Sequence, residues 1–346
     1  MEQSNLPKHI LVFRTSAMGD VAMLPHAIRA LHAVYPEVKV TVATRKLFEP
    51  FFAGLDVDFM PINPSDLDSF KGLWRFVRSA VALGIDAVAD MHHVWRSMFV
   101  RRLLQLHGIR SARIHKGKIE KWFRVGYSKS DAVPLKHTVS RYCDVFRRLG
   151  FTFPDPAPVA ERPLFENPMG EKHGTWVGFA PFSAHEGKTY PAALREQVVA
   201  RLSARYERVF IHSGGGAELQ FAEEMEAKYE NVTALFSRLK LAEEMALISK
   251  LDCVVSMDSL VMHLCSLTAT PVVTVWGATH PELGFLGYGA DTEAVLQQEM
   301  PCRPCSTYGK KPCRYGDYRC MHAITPQMIE DCVARTIDKN AKKPEK

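Results

Sequence analysis

The chain has 346 residues, a formal net charge of +6, 47% hydrophobic and 24% charged residues. This composition excludes a disordered chain, and the length favours two domains over one. No uncharged apolar run reaches the roughly 18 residues that a membrane-spanning helix needs, and "MEQSNLPKH" lacks the apolar core of a signal peptide. A cytoplasmic protein with reduced cysteines is therefore expected.

In chain order, "HILVFR" (9–14) reads as a buried strand and "VAMLPHAIRALHAVYP" (21–36) as a helix with apolar residues at helical spacing. "VKVTVAT" (38–44) and "LGIDAVADM" (83–91) read as further strands. Five prolines within 151–170, "FTFPDPAPVAERPLFENPMG", support neither a long helix nor a central strand and mark a linker. The alternation then restarts with strands at "TWVGFAP" (175–181), "RVFIHSGGG" (208–216), "DCVVSM" (252–257) and "PVVTVWG" (271–277), separated by helical stretches. Strands alternating with helices predict α/β architecture with parallel sheets covered on both faces. The expected division is 1–160, 161–330 and a terminal segment 331–346, the end of a helix followed by a disordered lysine-rich tail.

Charge is unevenly spread. Residues 1–160 carry 23 Lys and Arg against 14 Asp and Glu, and the rest of the chain carries 21 against 24. Between Arg96 and Arg124 lie nine cations and one acid, Glu120, with Trp122 and Phe123 interleaved. An anionic partner such as phosphate, nucleic acid or acidic lipid fits that bias, and a solvated face is the plain alternative.

Ligands of open parallel sheets bind at the carboxyl ends of strands, where helix N-termini offer free N–H groups. Four segments fall at such ends. "RTSAMGDVAMLP" (14–25) places Thr15, Ser16 and Asp20 there, and no partner for the carboxylate is evident; Asp20 reads equally as a first-turn helix residue or as a general base. "PFSAHEGKTYP" (181–191) carries Lys188, able to neutralise a phosphate leaving group or merely to solvate a loop. "HSGGGAE" (212–218) is not a dinucleotide fingerprint, but its glycines permit close approach of a ligand, and Glu218 suits ribose hydroxyls. In "SMDSLVMHL" (256–264), Asp258 or Ser259 caps a helix whose Ser259, Leu260 and Val261 N–H groups suit a diphosphate; His263 reads as a ligand contact or a buried structural histidine.

"TSAMGDVAMLP", "GKTYP", "GGGAE", "DAVADMHHVWRS" (86–97) and "MDSLVMHLCSLTATPVVTVWGATHP" resemble, in order and spacing, glycosyltransferase family nine, the ADP-heptose:lipopolysaccharide heptosyltransferases. The resemblance implies a GT-B fold, two Rossmann-like doubly wound domains facing across a cleft, with the donor on the second. It implies inverting, metal-independent sugar transfer from a nucleotide-sugar, ADP-heptose, to an anionic lipid-linked saccharide at the cytoplasmic face of the inner membrane, with no nucleic-acid partner. Asp20 would be the base; Ser183, Lys188, Glu218, Leu239, Asp258, Ser259, Leu260, Val261 and His263 would bind the donor. Thr15, Ser16, His92 and Arg96 would contact the acceptor, with a structural role as the alternative for His92 and His93. Trp122 and Phe123 would rest in the membrane interface. Where the family often has glycine this chain has Leu260, which reshapes the sugar or phosphate pocket.

Cys302, Cys305, Cys313 and Cys320 form C-x2-C-x7-C-x6-C, the arrangement of a candidate structural zinc site; no cofactor is expected for catalysis. Rival readings are a nucleotide-sugar epimerase and a non-enzymatic zinc-ribbon protein that binds nucleic acid through the basic segment.

Overall fold

The computed structural model describes residues 6–126 and 133–342. The chain divides into two compact units, one of Met1–Lys116 with Lys136–Ala157 and one of Gly117–Leu135 with Pro158–Lys346.

The first unit begins with β1 (His9–Phe13), α1 (Met18–Ala22), α2 (Leu24–Val34), β2 (Lys39–Thr44) and β3 (Asp58–Pro61). It continues with α3 (Phe70–Ala82), β4 (Ala87–Asp90), α4 (Trp95–Leu106) and β5 (Arg110–Arg113). The chain then leaves through α5 (Lys118–Arg124), which belongs to the second unit, and returns as α6 (Thr138–Arg148), packed on α2. All pairings are parallel and the strand order is β3-β2-β1-β4-β5. Central β1 and β4 are buried along their whole length, as continuous apolar runs between two helix layers must be, whereas edge strands β3 and β5 carry exposed residues.

The second unit runs β6 (Trp176–Ala180), α7 (Ala192–Arg205), β7 (Arg208–Ile211), α8 (Ala217–Lys228), β8 (Val232–Ala234) and α9 (Leu241–Ile248). It ends with β9 (Cys253–Met257), α10 (Leu260–Leu267), β10 (Val272–Trp276), β11 (Val295–Gln297), α11 (Arg319–His322) and α12 (Pro326–Ala341). Its parallel order, β11-β10-β9-β6-β7-β8, repeats the winding of the first unit with one strand added. In both, the first strand is central, the next two lie on one side and the later ones on the other. The helix at the C-terminus reaches Ala341, and its Ile329, Cys332 and Val333 are buried in the core with Val255 and Val273. Residues 343–346 of the lysine-rich tail lie outside the described residues.

Two close approaches shape the second unit. A Cβ on Gly277 would meet the Gly187 carbonyl oxygen and the Met321 side chain at 2.6 Å, and one on Gly187 would meet Ala278 Cβ at 2.8 Å. The loops after β6 and β10 therefore touch backbone to backbone, tied by the Ala278 N–H donating to the Gly187 carbonyl at 2.8 Å. Arg303, only 2% exposed, locks the second loop. Its guanidinium donates to the carbonyls of Gly277 (2.5 Å), Thr279 (3.0 Å) and Gln298. Arg303→Leu leaves these carbonyls without a donor and is expected to destabilise the protein by about 3 kcal/mol, read as a melting temperature several degrees lower in a thermal scan.

Candidate functional site

In a doubly wound sheet the ligand crevice opens where the strand order reverses, at the carboxyl ends of the two strands flanking that point. These are β1 and β4 in the first unit, β6 and β9 in the second. Most of the sequence-predicted residues fall on these two places.

In the first unit, Thr15 and Ser16 follow β1 and His92 follows β4. Thr15 Oγ1 lies 3.2 Å from His92 Nδ1, and Ser16 Oγ lies 3.3 Å from its Nε2. Burial, with the nearby cations Arg14, Lys116 and Arg96, pushes the His92 pKa down to about 3, so the imidazole is neutral and acts as a hydrogen-bonding group. The loop carrying it is held by Asp90, the last residue of β4. The backbone N–H groups of His92 (3.0 Å) and His93 (2.7 Å) donate to one carboxylate oxygen, and the Ser97 hydroxyl donates to the other at 3.0 Å. Asp86 in the same motif anchors the sheet, accepting from the Lys8 and His9 N–H groups.

Asp20 is in the first turn of α1, whose cap residue is Ala17. Its carboxylate, without a visible partner in the sequence, is ion-paired with the buried Arg14. Arg14 also donates to the Met91 carbonyl at 2.5 Å and lies 5.8 Å from the centre of the Tyr142 ring. Tyr142 in turn donates to the Asp20 carbonyl at 3.0 Å, so both ends of Asp20 are fixed. Arg96, at the start of α4, pairs with Asp68 and stacks 4.9 Å from the Trp95 ring centre. His93 sits 2.8 Å from the Arg113 guanidinium.

In the second unit, Ser183 and Lys188 come from the loop after β6. The Ser183 hydroxyl donates to the Asp258 carbonyl at 3.2 Å. Lys188 Nζ lies 3.4 Å from the Asp258 carboxylate, both largely buried, and Thr279 Oγ1 donates to the same carboxylate oxygen at 2.9 Å. Gly309, at φ 78°, lies on the Lys188 stem: a Cβ there would come within 2.6 Å of Lys188 Cγ. Ser259 is the cap residue of α10 but makes no side-chain cap; its hydroxyl lies 3.2 Å from that of Ser256 instead. Leu260 is half-buried, while Val261 and His263 are buried along α10.

Glu218 and Leu239 follow the neighbouring strands β7 and β8. Glu218 accepts from the Gly214 N–H at 2.7 Å, so the carboxylate folds back over its own glycine turn. Leu239 is half-buried just ahead of α9, and Phe236 lies against Gly215, where a Cβ would sit 3.4 Å from the ring. Sequence reasoning missed Arg14, Tyr142, Thr279, Arg303 and Phe236. Arg14, Thr279 and Arg303 stand inside stretches singled out for other residues; Tyr142 gave no local signal.

Two expectations require correction. The first concerns the cysteines: among the described residues no three His, Cys, Asp or Glu side chains are grouped as a metal would hold them. Cys320 is packed into the hydrophobic core, Cys305 Sγ faces the Ala278 carbonyl at 3.7 Å, and Cys313 turns towards Asp317 at 3.9 Å. Cys302 is half-buried. The C-R-P-C turn is built around the buried Arg303 guanidinium. The basic segment is not a continuous exposed run either. Arg101 and Lys121 are buried, Lys121 under Phe285 at 3.9 Å from the ring centre, and the run is divided between the two units.

Two sheets wound alike, the second with a lysine and a helix N-terminus at its point of reversal, define a protein of two nucleotide-binding-type α/β units. Comparison with known proteins makes the assignment specific. The family model described as glycosyltransferase family 9 (heptosyltransferase) matches residues 73–317. The chain belongs to that family and is a glycosyltransferase, which removes the epimerase and the non-enzymatic readings.

Among solved structures it resembles E. coli ADP-heptose LPS heptosyltransferase II, with TM-score 0.71 and 18% identity, covering 96% of this chain and 99% of that one. It also resembles E. coli heptosyltransferase WaaC with ADP, with TM-score 0.68 and 18% identity over 95% and 99% of the two chains. A family 9 glycosyltransferase from Veillonella parvula gives TM-score 0.72 and 17% identity over 98% and 99%. At these identities the likeness concerns the fold, which is GT-B. A comparison with curated proteins returned no match.

The neutral His92 has a measurable consequence. Its folded-state pKa lies well below the unfolded value near 6.5, so as pH falls below 6.5 the unfolded chain takes up a proton that the folded chain refuses. Its contribution to stability is present above that pH and is lost towards pH 3. Between pH 7 and pH 5 the loss is about 2 kcal/mol. In urea titrations at those two pH values, His92→Gln is expected to lose correspondingly less stability than the wild type.

Proposed function

We propose that the protein transfers a heptose from ADP-heptose to a lipopolysaccharide-core acceptor, with inversion and without a metal. In this reading the second unit holds the donor, and the first supplies the base and the acceptor contacts. The observation that carries it is the cluster of Lys188, Asp258 and Thr279 at the reversal point of the second sheet, beside the start of α10. A lysine ammonium oriented by a carboxylate, with helix N–H groups next to it, is built for a diphosphate.

The steps follow from that placement. The acceptor hydroxyl oxygen bonds to the anomeric carbon while the bond from that carbon to the donor diphosphate breaks on the opposite face. Asp20 takes the hydroxyl proton. The nucleoside diphosphate leaves with the electron pair, its charge met by Lys188 and the N–H groups of Ser259, Leu260 and Val261. Ser183 adds a hydroxyl contact to phosphate. Glu218, fixed by the Gly214 N–H, suits the ribose hydroxyls, and Leu239 with Phe236 suits the adenine ring. His263 is buried in α10, where it supports the phosphate end of the site.

On the acceptor side, Thr15, Ser16 and the neutral His92 suit sugar hydroxyls, and Arg96 suits a phosphate or carboxylate of the core. Arg14 positions the base. The acceptor's lipid implies peripheral contact with the cytoplasmic face of the inner membrane. Trp122 and Phe123, both exposed on α5, support that contact. No helix among the described residues is long and apolar enough to cross a membrane.

Two variants test the roles separately. Asp20→Asn is expected to lower transfer from ADP-heptose by roughly 10²–10⁴-fold while calorimetry shows unchanged ADP affinity; near-normal transfer would remove Asp20 as the base. Lys188→Met is expected to weaken ADP binding by roughly ten- to a hundredfold, the worth of one charged hydrogen bond. Unchanged affinity in that variant would move the diphosphate elsewhere.

A further inference from the structure

Helices α3 and α4 of the first unit share a property that neither the sheet nor the proposed chemistry requires. Between them, "FKGLWRFVRSAVA" and "WRSMFVRRLLQL" contain six cations, Lys71, Arg75, Arg78, Arg96, Arg101 and Arg102, and no carboxylate. A solvated helix ordinarily mixes charges and gains from opposite pairs one turn apart. Here only Arg101 is buried, drawn towards Asp90 at 3.8 Å, and Arg96 pairs with Asp68. Lys71, Arg75, Arg78 and Arg102 remain exposed.

The same two helices expose large aromatic side chains. Gly72, Leu73, Phe76, Val77 and Ala80 form the buried face of α3. On its outer side, Phe70 is 77% exposed and Trp74, one turn further, 49%. Gly72 allows this: a Cβ there would run into the Asp66 carbonyl, so the preceding turn packs directly on the helix start. Phe70 meets Phe99 of α4 edge-on with ring centres 5.6 Å apart. One turn back along α4 stands Trp95, 58% exposed, with Met98 exposed beside it. The Phe70–Phe99 contact thus joins the exposed aromatic positions of the two helices, whose sequences interleave them with cations.

We propose that this α3–α4 face docks on an anionic lipid bilayer. Aromatic rings at the headgroup level and cations able to reach lipid phosphates are the pairing such an interface selects. The charge is of one sign over both helices, which suits a sheet of anionic headgroups and disfavours contact with a second copy of this equally basic face. The face ends at Trp95 and Arg96, next to His92. A membrane held there would present the saccharide of a lipid-linked acceptor to the acceptor contacts. The inference rests on the proposed lipid-linked acceptor but is read without it, and it lies on a different unit from Trp122 and Phe123.

The test is co-sedimentation of the full chain with phosphatidylcholine vesicles, with and without about one third phosphatidylglycerol. Binding is expected only to the anionic vesicles and is expected to fall as salt rises. The variant Lys71→Glu/Arg75→Glu/Arg78→Glu is expected to partition at least a hundredfold more weakly, since each cation near such a surface is worth about fivefold. Phe70→Ser/Trp74→Ser is expected to weaken binding as well, and both variants change only exposed positions, so their circular dichroism and melting should match the wild type. Loss of binding in an Ile119→Ser/Trp122→Ser variant with α3 changes silent would overturn the proposal. So would indifference to vesicles together with a dimer in sedimentation equilibrium that the α3 variants disperse, which would make the occupant a second copy. Vesicle binding uses neither donor nor acceptor; if transfer and ADP binding fail while it persists, the functional reading falls and the docking face stands.

Discussion

A carboxylate removed from water must find donors, and in both units the fourth strand delivers one to the point where the sheet reverses. Asp90 ends β4 and Asp258 follows β9, and both are buried. Around each, the chain closes by the same logic. Asp90 gathers the N–H groups of the next loop and so sets His92 against Thr15 and Ser16 from the loop after β1. Asp258 takes Lys188 from the loop after β6 and Thr279 from the loop after β10, while its carbonyl takes the Ser183 hydroxyl. The sheets supply the scaffold, and the two aspartates decide which loops meet.

Much of this was legible because buried parallel strands write themselves as apolar runs. "HILVF", "WVGFA", "CVVSM" and "VVTVW" are buried at every position, and the first three are followed by polar residues singled out as site candidates. Position at a strand end is local information. Partnership is not. The Asp20–Arg14 pair looked absent because the two residues sit in different elements, and Tyr142, which fixes the same aspartate, comes from a helix 122 positions away. Thr279 lay within a stretch already marked, but nothing local says that its hydroxyl reaches Asp258.

Reading charges along the chain misled for a related reason. A count of cations from Arg96 to Arg124 treats a line of sequence as a surface, yet the chain changes units at Gly117 and buries Arg101 and Lys121 on the way. The four thiols near the C-terminal end have spacing that suits a metal. Arg303 between the first two is buried, and burying a guanidinium requires several carbonyl acceptors, which the loop folds to provide.

The likeness of the two units makes their difference informative. With the same winding and the same buried aspartate, one cluster collects a neutral imidazole and two hydroxyls, the other an ammonium and a helix start. Neutral donors and acceptors at 3.2 and 3.3 Å spacing discriminate sugar hydroxyls by geometry and are insensitive to charge on the ligand. An ammonium beside free N–H groups responds to charge first, and most strongly when that charge grows as a bond to phosphate breaks. Burial reinforces the division by keeping His92 unprotonated, so the first cluster does not become a second anion site as pH falls through the ordinary histidine range. In the proposed reading, one scaffold used twice yields a hydroxyl-reading site and a phosphate-reading site, the pair of recognitions that moving a sugar from a diphosphate to an alcohol demands.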